Sequence, residues 1–455
     1  MSKLSKKNVI LLTADSLRGD HLSCYGYHRK TSPNIDKLAE RGTVFTQCIS
    51  NSGWTLPSFV SLFTSTYPLS YGGYRYLSED RKLVAEVLKE NKYKTAAYTS
   101  NPFLSAKREL DRGFDIFEEF EGEMPRISVL RMTVEPYLRK VFSLVRPLYA
   151  ILAILSNSIG YQASTKEYLR ADEVNQRAIS WLEQNLDGNF FLWLHYMDTH
   201  YRYNPPADCL RKFRSESVTN MQKSRVFFKM RFRPQFISNR ELEILHDLYD
   251  GEVRYWDQCI GSLINRLSDL GVLEDTIIFV TADHGEEFQE HGNFAHFDET
   301  LYDESIRVPL IIAGPGIERG IVDEQVSLID VAPTIVDLLK LPEVGNFQGR
   351  SLLSAIRLAE ERRNVISENS KKIAIRSEHW KYIYDRESAT EELYNLHVDP
   401  QEQNNLSQTE HEVINEFRSE LNAHLSMIER TAIHLPDVEL EKEVKERLRR
   451  LGYFQ

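Results

Sequence analysis

Asn8-Val-Ile-Leu-Leu-Thr-Ala-Asp15 is an almost unbroken apolar run that closes on a carboxylate. It lacks the apolar-polar alternation of a half-exposed strand and is too short for a core helix. It therefore reads as a strand buried on both faces, the kind found in parallel, helix-covered sheets. Thr276-Ile-Ile-Phe-Val-Thr-Ala-Asp283-His284-Gly285 repeats the design. Two such strands, each ending on hard metal-ligand types, predict one site above the carboxyl edge of a parallel sheet.

The rest of the chain supports that class. Pro33 lies near a helix start and Gly42 near its end, and a strand follows at Thr43–Thr46. Helical spacing covers Leu83–Asn91, Glu173–Leu186, Glu241–Leu270 and Ser327–Leu339. Strand texture covers Lys94–Ser100, Asn189–Met197 and the region from Arg307 to the turn at Gly314–Gly316. Strand and helix alternating on this scale predict a mostly parallel sheet flanked by helices. Beyond Gly349 the texture changes to short strands at 373–376, 380–384 and 392–396, a small antiparallel appendage, with a charged helix at Leu440–Gly452. The expected division is a catalytic domain over 1–349, with insertions at about 119–165 and 201–240, and a C-terminal subdomain over 350–455.

Asn51-Ser-Gly-Trp-Thr-Leu-Pro-Ser-Phe59 is a turn opening into a helix, which puts the Thr55 hydroxyl beside backbone N–H groups at the positive end of a helix dipole. By itself such a threonine is more often a cap than a nucleophile. Asp15, Asp283 and His284 change the balance, because their side chains suit a divalent ion, and consecutive Asp-His at a strand end can face one ion. Ca, Mg, Mn and Zn all remain compatible, as do one ion or two. Such an ion would activate Thr55 as a nucleophile toward a sulfate or phosphate ester. His200, His291 and His296 follow the later strands in polar loops, where each could bind an ester oxygen or protonate a leaving group, His291 being the weakest of the three. Asn101, at the end of the Lys94 strand, His291 and Arg307 are candidate substrate-binding residues.

Composition sets the outer bounds. The chain has 455 residues, 42% of them hydrophobic and 27% charged, with a formal net charge of −11, which argues against general nucleic-acid binding. Cys24, Cys48, Cys209 and Cys259 show neither metal-knuckle spacing nor a disulfide framework. The opening seven residues are too short for a signal peptide ahead of a core strand, so the expected location is cytoplasmic. The apolar stretch 141–155 is interrupted by Arg146 and Pro147 and is too short to span a bilayer; it reads as a packed helical insertion or an interfacial helix giving peripheral membrane contact. The segment between His200 and Arg240 reads as irregular and basic, with Arg211, Lys212, Arg214, Arg225, Lys229, Arg231 and Arg233, either a solvated insertion or a wall for an anionic substrate.

The motifs together resemble the sulfatase family within the alkaline-phosphatase superfamily. They are the Asn8 strand with Ser16-Leu-Arg-Gly-Asp20, Thr31-Ser-Pro-Asn-Ile-Asp-Lys-Leu-Ala39, Thr281-Ala-Asp-His-Gly-Glu286, Tyr302-Asp-Glu-Ser-Ile-Arg-Val-Pro-Leu310 and Glu392-Leu-Tyr-Asn-Leu-His-Val-Asp-Pro400. The resemblance implies an alkaline-phosphatase-like three-layer α/β/α sandwich with a small C-terminal antiparallel subdomain. It also implies Asp15, Asp283 and His284 as metal ligands with Thr55 completing the shell, and His200 and His296 as ester-binding groups. The chain departs from the family at the nucleophile. The family's C/S-x-P-S-R pattern is here Thr55-Leu-Pro-Ser-Phe59, so the modification to formylglycine has no substrate and Phe59 stands for the arginine. Ser16 occupies the place of a second aspartate, and Cys48 lacks the surrounding pattern.

A formylglycine hydrate releases sulfate by elimination from a carbon bearing two hydroxyls. A threonine ester must instead be cleaved at sulfur or phosphorus by water or another acceptor, which moves the expected chemistry toward phosphate or phosphonate esters. The expected function is a metal-dependent hydrolase of sulfate or phosphate/phosphonate esters with Thr55 as candidate nucleophile, classical sulfate-ester hydrolysis staying open, on an anionic substrate that a glycan or lipid could carry. The alternatives are a phosphoethanolamine-like phosphoalcohol transferase and a non-catalytic pseudoenzyme that binds anionic glycans.

Overall fold

The computed structural model describes residues 7–71, 77–120, 168–296, 300–357 and 363–431. The Asn8 run is β1 (Asn8–Ala14), near the middle of an eight-stranded sheet. Its partners are β2 (Gly42–Ile49), β3 (Lys94–Thr99), β4 (Ile116–Glu119), β5 (Phe190–Tyr196), β6 (Thr276–Ala282), β9 (Arg307–Ala313) and β10 (Gly320–Ser327), in the order β10-β2-β9-β6-β1-β5-β3-β4. Every pairing is parallel except those of β9 with β2 and β6. All residues of β1, β5 and β6 are buried, as strands covered on both faces must be.

Helices form the two covering layers. Thr55–Thr64, Val84–Glu90 and Val331–Leu338 pack together, as do Pro33–Ala39, Ala171–Glu183 and Asn239–Asp269 through the last of these. Strand β5 shows that the groups lie on opposite faces. The Trp193 ring meets Phe59 and Phe63 of the first group, whereas Tyr196, three residues on, meets Asn175 and Trp256 of the second. The long helix begins where its capping box allows: the Ser238 hydroxyl accepts from Glu241 N, and Ser238 N donates to Glu241 Oε2.

The segment expected to be irregular between His200 and Arg240 contains a helix, Asn220–Phe232, started by a capping box of Thr219 and Gln222. Its apolar residues are distributed round the axis, and that erased the periodic signal. The short β7 (Glu287–Phe288) and β8 (Phe294–Ala295) make a hairpin beside the site. Four antiparallel strands follow: β11 (Val365–Glu368), β12 (Lys372–Arg376), β13 (Trp380–Asp385) and β14 (Glu391–Asn395). Alternation sorts their side chains. Ile366, Ile373, Ile375, Tyr382 and Leu393 pack under Ile414, Phe417 and Leu421 of the helix His411–Arg430, while Val365, Ala374, Ile383 and Tyr394 pack on Ile49, Leu301 and Ile306. The stretch 141–155 and the expected helix at 440–452 lie outside the described residues. Among the described residues no helix is long and apolar enough to cross a membrane.

Candidate active site and metal centre

Strand register brings distant carboxylates side by side. Ala14 is level with both Ala282 and Tyr196, so Asp15 and Asp283 leave adjacent strands at the same height. One ligand atom from each of Asp15, Asp283 and His284 lies within 4.8 Å of the others, and all three residues are buried. His284 Nδ1 is 2.8 Å from the Gly285 carbonyl, which must accept its proton. The lone pair is therefore on Nε2, which stands 3.8 Å from Asp15 Oδ1 and 3.6 Å from Asp283 Oδ2. Gly285 admits no side chain, since a Cβ there would sit 1.9 Å from the Glu304 carbonyl oxygen.

This is an acceptor set in need of a cation. Asp283 Oδ2 is buried with no hydrogen-bond partner among the described residues. Burial, and then the charge of Asp15, push the Asp283 carboxyl well above its ordinary range. Burial would also raise Asp15, but His200, His195 and His284 outweigh it and hold that carboxylate low. Two aspartates and one imidazole lone pair converging in a dry site fit a divalent ion, which Asp15, Asp283 and His284 would hold.

Thr55 is the first residue of the helix Thr55–Thr64 and is wholly buried, with Oγ1 3.3 Å from His284 Nε2. Serines fasten its loop to the metal-site strand. Ser50 Oγ donates to the Asp283 carbonyl at 2.5 Å and lies 3.0 Å from Ser58 Oγ, while Ser58 Oγ donates to the Ser52 carbonyl at 2.9 Å. The C-terminal sheet clamps the same loop: Glu368 N donates to the Asn51 carbonyl at 2.7 Å and Asn51 Nδ2 to the Ile366 carbonyl at 2.9 Å. Gly53 passes so close to Thr300 that a Cβ would lie 2.2 Å from its carbonyl oxygen.

The remaining candidates divide. Asn101 Nδ2 donates to Asp15 Oδ2 at 2.7 Å, so it orients a carboxylate of the site. The rings of His200 and His296 are 5.0 Å apart, and His296 is 4.5 Å from His284. Burial is the main reason that His200 is lowered to about 4 and His296 to about 3, so both rings are neutral at pH 7. An anionic ester between them would favour their charged forms. His296 Nδ1 is also 3.2 Å from Glu286 Oε1, a carboxyl that burial raises to about 7.

His291 and Arg307 are held away from this cluster. The His291 ring stacks 3.6 Å from Tyr302, with Nδ1 2.5 Å from Glu304 Oε1 and Nε2 3.0 Å from the Glu402 carbonyl, so it joins the C-terminal sheet region to the catalytic sheet. Arg307 turns its guanidinium to the Thr46 carbonyl, at 2.9 Å, and lines a cavity of about 750 Å³ with Asp303, Arg376 and Trp380.

His195, which carries no sequence signal, and the two departures from the family pattern, Phe59 and Ser16, complete the site. His195 is fully buried in β5, with Nε2 3.3 Å from Asp15 Oδ2 and Nδ1 3.0 Å from Thr13 Oγ1, which also accepts from Trp193 Nε1 at 3.0 Å. Phe59, at the family's arginine position, sets its ring edge-on to His195, with 4.9 Å between centroids. Ser16 adopts a left-handed backbone with φ 60°, its N–H on Asp283 Oδ1 at 3.2 Å and its hydroxyl on Asp15 Oδ1 at 3.0 Å. It thus bridges the two aspartates by hydrogen bonds where the family places a further carboxylate.

The sulfatase family model matches residues 7–341. This chain belongs to the sulfatase family. A second family model, N-sulphoglucosamine sulphohydrolase, C-terminal, matches residues 290–430 of the sulfatase. Arylsulfatase K of Gallus gallus is 25% identical to it over 449 residues, spanning 89% of this chain and 79% of that protein. Choline-sulfatase of Rhizobium meliloti is 36% identical over 169 residues, covering 35% of this sulfatase and 32% of that protein. The fold is shared with the phosphonate monoester hydrolase of Agrobacterium radiobacter, with TM-score 0.69, 20% identity and coverage of 94% of this chain and 96% of that one. It is also shared with a protein solved in complex with its substrate D-glucosamine-2-N,6-O-disulfate, with TM-score 0.69, 18% identity and coverage of 93% and 98%. By family the sulfatase is a hydrolase of sulfuric-type esters.

Proposed function

We propose that this sulfatase cleaves a phosphate or phosphonate ester by attack of Thr55 Oγ1, with a divalent cation held by Asp15, Asp283 and His284. The reading rests on the 3.3 Å approach of Thr55 Oγ1 to His284 Nε2, in the same buried site as the two aspartates. The cation, when bound, would lower the pKa of the Thr55 hydroxyl and offset charge on the non-bridging ester oxygens.

In the first displacement a bond forms between Thr55 Oγ1 and phosphorus while the bond to the leaving oxygen breaks, its electron pair departing with that oxygen. His200 and His296 flank the ester, and one of them, neutral at pH 7, takes the Thr55 hydroxyl proton and passes it to the leaving oxygen. Water then splits the phosphothreonine at phosphorus and restores the hydroxyl. Threonine offers no second hydroxyl on the attacking carbon, so elimination is closed to it and both displacements occur at the central atom. Asn101, with Nδ2 on Asp15 Oδ2, leaves Asp15 Oδ1 toward His284 Nε2 at 3.8 Å.

The test combines turnover with intact mass. Metal-supplemented protein is assayed on aryl phosphodiesters, phosphonates and sulfates, with and without a hydroxyl acceptor, and is quenched for mass measurement. Thr55→Ala is expected to lose roughly 10³-fold or more in kcat/KM and any covalent phosphoryl adduct. Equal turnover by Thr55→Ala overturns the nucleophile, and a preference for sulfate esters overturns the choice of phosphorus.

A further inference from the structure

The helix Asn220–Phe232 is apolar on two sides. Val226, Phe227 and Met230 are buried, with the Phe227 ring 5.4 Å from Tyr201 and 6.2 Å from Tyr203, so this side roofs the loop that carries His200. On the other side Met221, Arg225, Phe228 and Phe232 follow at i, i+4, i+7 and i+11, one line along the axis. Met221 is 69% exposed and Phe232 62%; the half-buried Phe228 ring lies 5.2 Å from that of Phe232, and beyond the helix Phe236 is 58% exposed. Half of the large hydrophobic residues exposed among those described are these three, within sixteen positions of sequence. An ordinary surface helix keeps large apolar side chains out of water, whereas here Met221 and Phe232 stand exposed alongside Asn220, Gln222 and Arg225.

Charge narrows what could meet that face. The chain carries −11 overall, yet residues 207–240 hold nine basic and two acidic side chains. Arg225 on the helix and Arg233 and Arg240 just beyond it are exposed, as are Arg211 and Lys212 before it in sequence. Arg225 approaches Glu241 at 3.3 Å and Arg240 approaches Glu216 at 3.4 Å, but both arginine side chains remain at least two-thirds exposed.

We propose that this helix docks the protein on an anionic phospholipid surface, with Met221, Phe228, Phe232 and Phe236 entering the headgroup layer and Arg225, Arg233 and Arg240 meeting lipid phosphates. Aromatic and methionine tips along a convex helix, rimmed by arginine, are the composition of an interfacial helix. A second copy of the chain is a poorer occupant, because a two-fold contact would press one basic rim against its twin. Docking would also orient the site. Gln289 Nε2 donates to the Pro234 carbonyl at 3.3 Å, tying the segment after the helix to the β7–β8 hairpin that leads to His296. The lipid face and the ester-binding histidines are then about one helix diameter apart, roughly 10 Å, so an anionic ester carried on a lipid would arrive from the docked side. That last consequence rests on the proposed activity, whereas docking itself does not.

The experiment is co-sedimentation of the full chain with vesicles of phosphatidylcholine alone and of phosphatidylcholine mixed equally with phosphatidylglycerol, at low and high salt. Wild type is expected to pellet with the anionic vesicles and to be released by salt. Met221→Ser/Phe232→Ser/Phe236→Ser is expected to bind at least tenfold more weakly, and Arg225→Glu/Arg233→Glu/Arg240→Glu to lose the preference for phosphatidylglycerol, with far-UV circular dichroism unchanged in both. Four results overturn the proposal: no wild-type binding, equal binding to neutral vesicles, variants that bind like wild type, or concentration-dependent dimerisation that these substitutions abolish without any vesicle binding. Because vesicle binding is read without substrate, it fails or succeeds independently of Thr55.

Discussion

Replacing Asp283 by asparagine is expected to stabilise the metal-free protein, although Asp283 is a fully buried polar residue at the heart of the site. Carboxylate oxygens of Asp15 and Asp283 lie within 4.8 Å of one another, so two full charges there repel by about 3 kcal/mol at an effective dielectric near 20. The substitution keeps Oδ1, which accepts from Ser16 N at 3.2 Å and from His284 N at 2.9 Å. It turns the unpartnered Oδ2 into an N–H donor 3.6 Å from the His284 Nε2 lone pair. The sign with pH follows from the raised Asp283 carboxyl. Its contribution to stability is fully present below its ordinary value of 3.8 and is lost as pH rises toward the elevated folded value, so the metal-free wild type should be less stable at pH 8 than at pH 5. Calorimetric scans of chelator-treated protein at both pH values, with and without added Zn or Mn, measure this. At pH 8 the variant should melt roughly 3 °C above metal-free wild type. Wild type should gain about 3 kcal/mol from metal at a hundred times its Kd, and the variant almost nothing. A variant that melts lower than metal-free wild type, or that keeps the metal-induced gain, would refute the assignment of Asp15 and Asp283 to one ion.

Two further outcomes concern the surroundings of the site. Asp15 Oδ2 has Asn101 Nδ2 at 2.7 Å and His195 Nε2 at 3.3 Å, so Asn101→Ala should weaken metal affinity by about a hundredfold and His195→Asn by about tenfold, read by chelator competition without any turnover. The reverse ranking would mean that His195, not Asn101, sets the Asp15 orientation. His291→Ala should leave kcat unchanged while costing about 1–2 kcal/mol at pH 7. Burial opposes its charge, but Glu304 raises the ring to about 9, so the stabilisation is present below 6.5 and fades as pH rises through about 9. Denaturant melts of both proteins across that range should converge at the alkaline end. A large fall in kcat would instead place His291 at the ester.

How much was legible depended on where each residue's partner lies in the chain. The β1 and β6 runs announce themselves because a strand covered on both faces must be apolar throughout, and their terminal aspartates stand out against that background. His195 lies in the same kind of strand and does not stand out, because a lone buried histidine carries no sign of its partner; Asp15 is 180 residues away in sequence. His291 follows a strand in a polar loop, as His200 does, but Glu304, 13 positions on, and the Glu402 carbonyl, 111 positions on in the C-terminal region, claim it. The helix Asn220–Phe232 escaped periodic reading because side chains facing the interior and side chains facing outward are both apolar.

The amino-acid sequence by itself determined which groups are present: a threonine at a helix start, two strand-end aspartates, and histidines in the loops beyond them. It also determined the parallel sheet, since burial on both faces and helix-length spacers are local properties of the chain. Only the tertiary structure decided which of those groups meet. The level pairing of Ala14 with Ala282, the clamp of β11 on Asn51 and the capture of His291 by the Glu402 carbonyl depend on contacts between residues a hundred to several hundred positions apart, which local patterning does not encode.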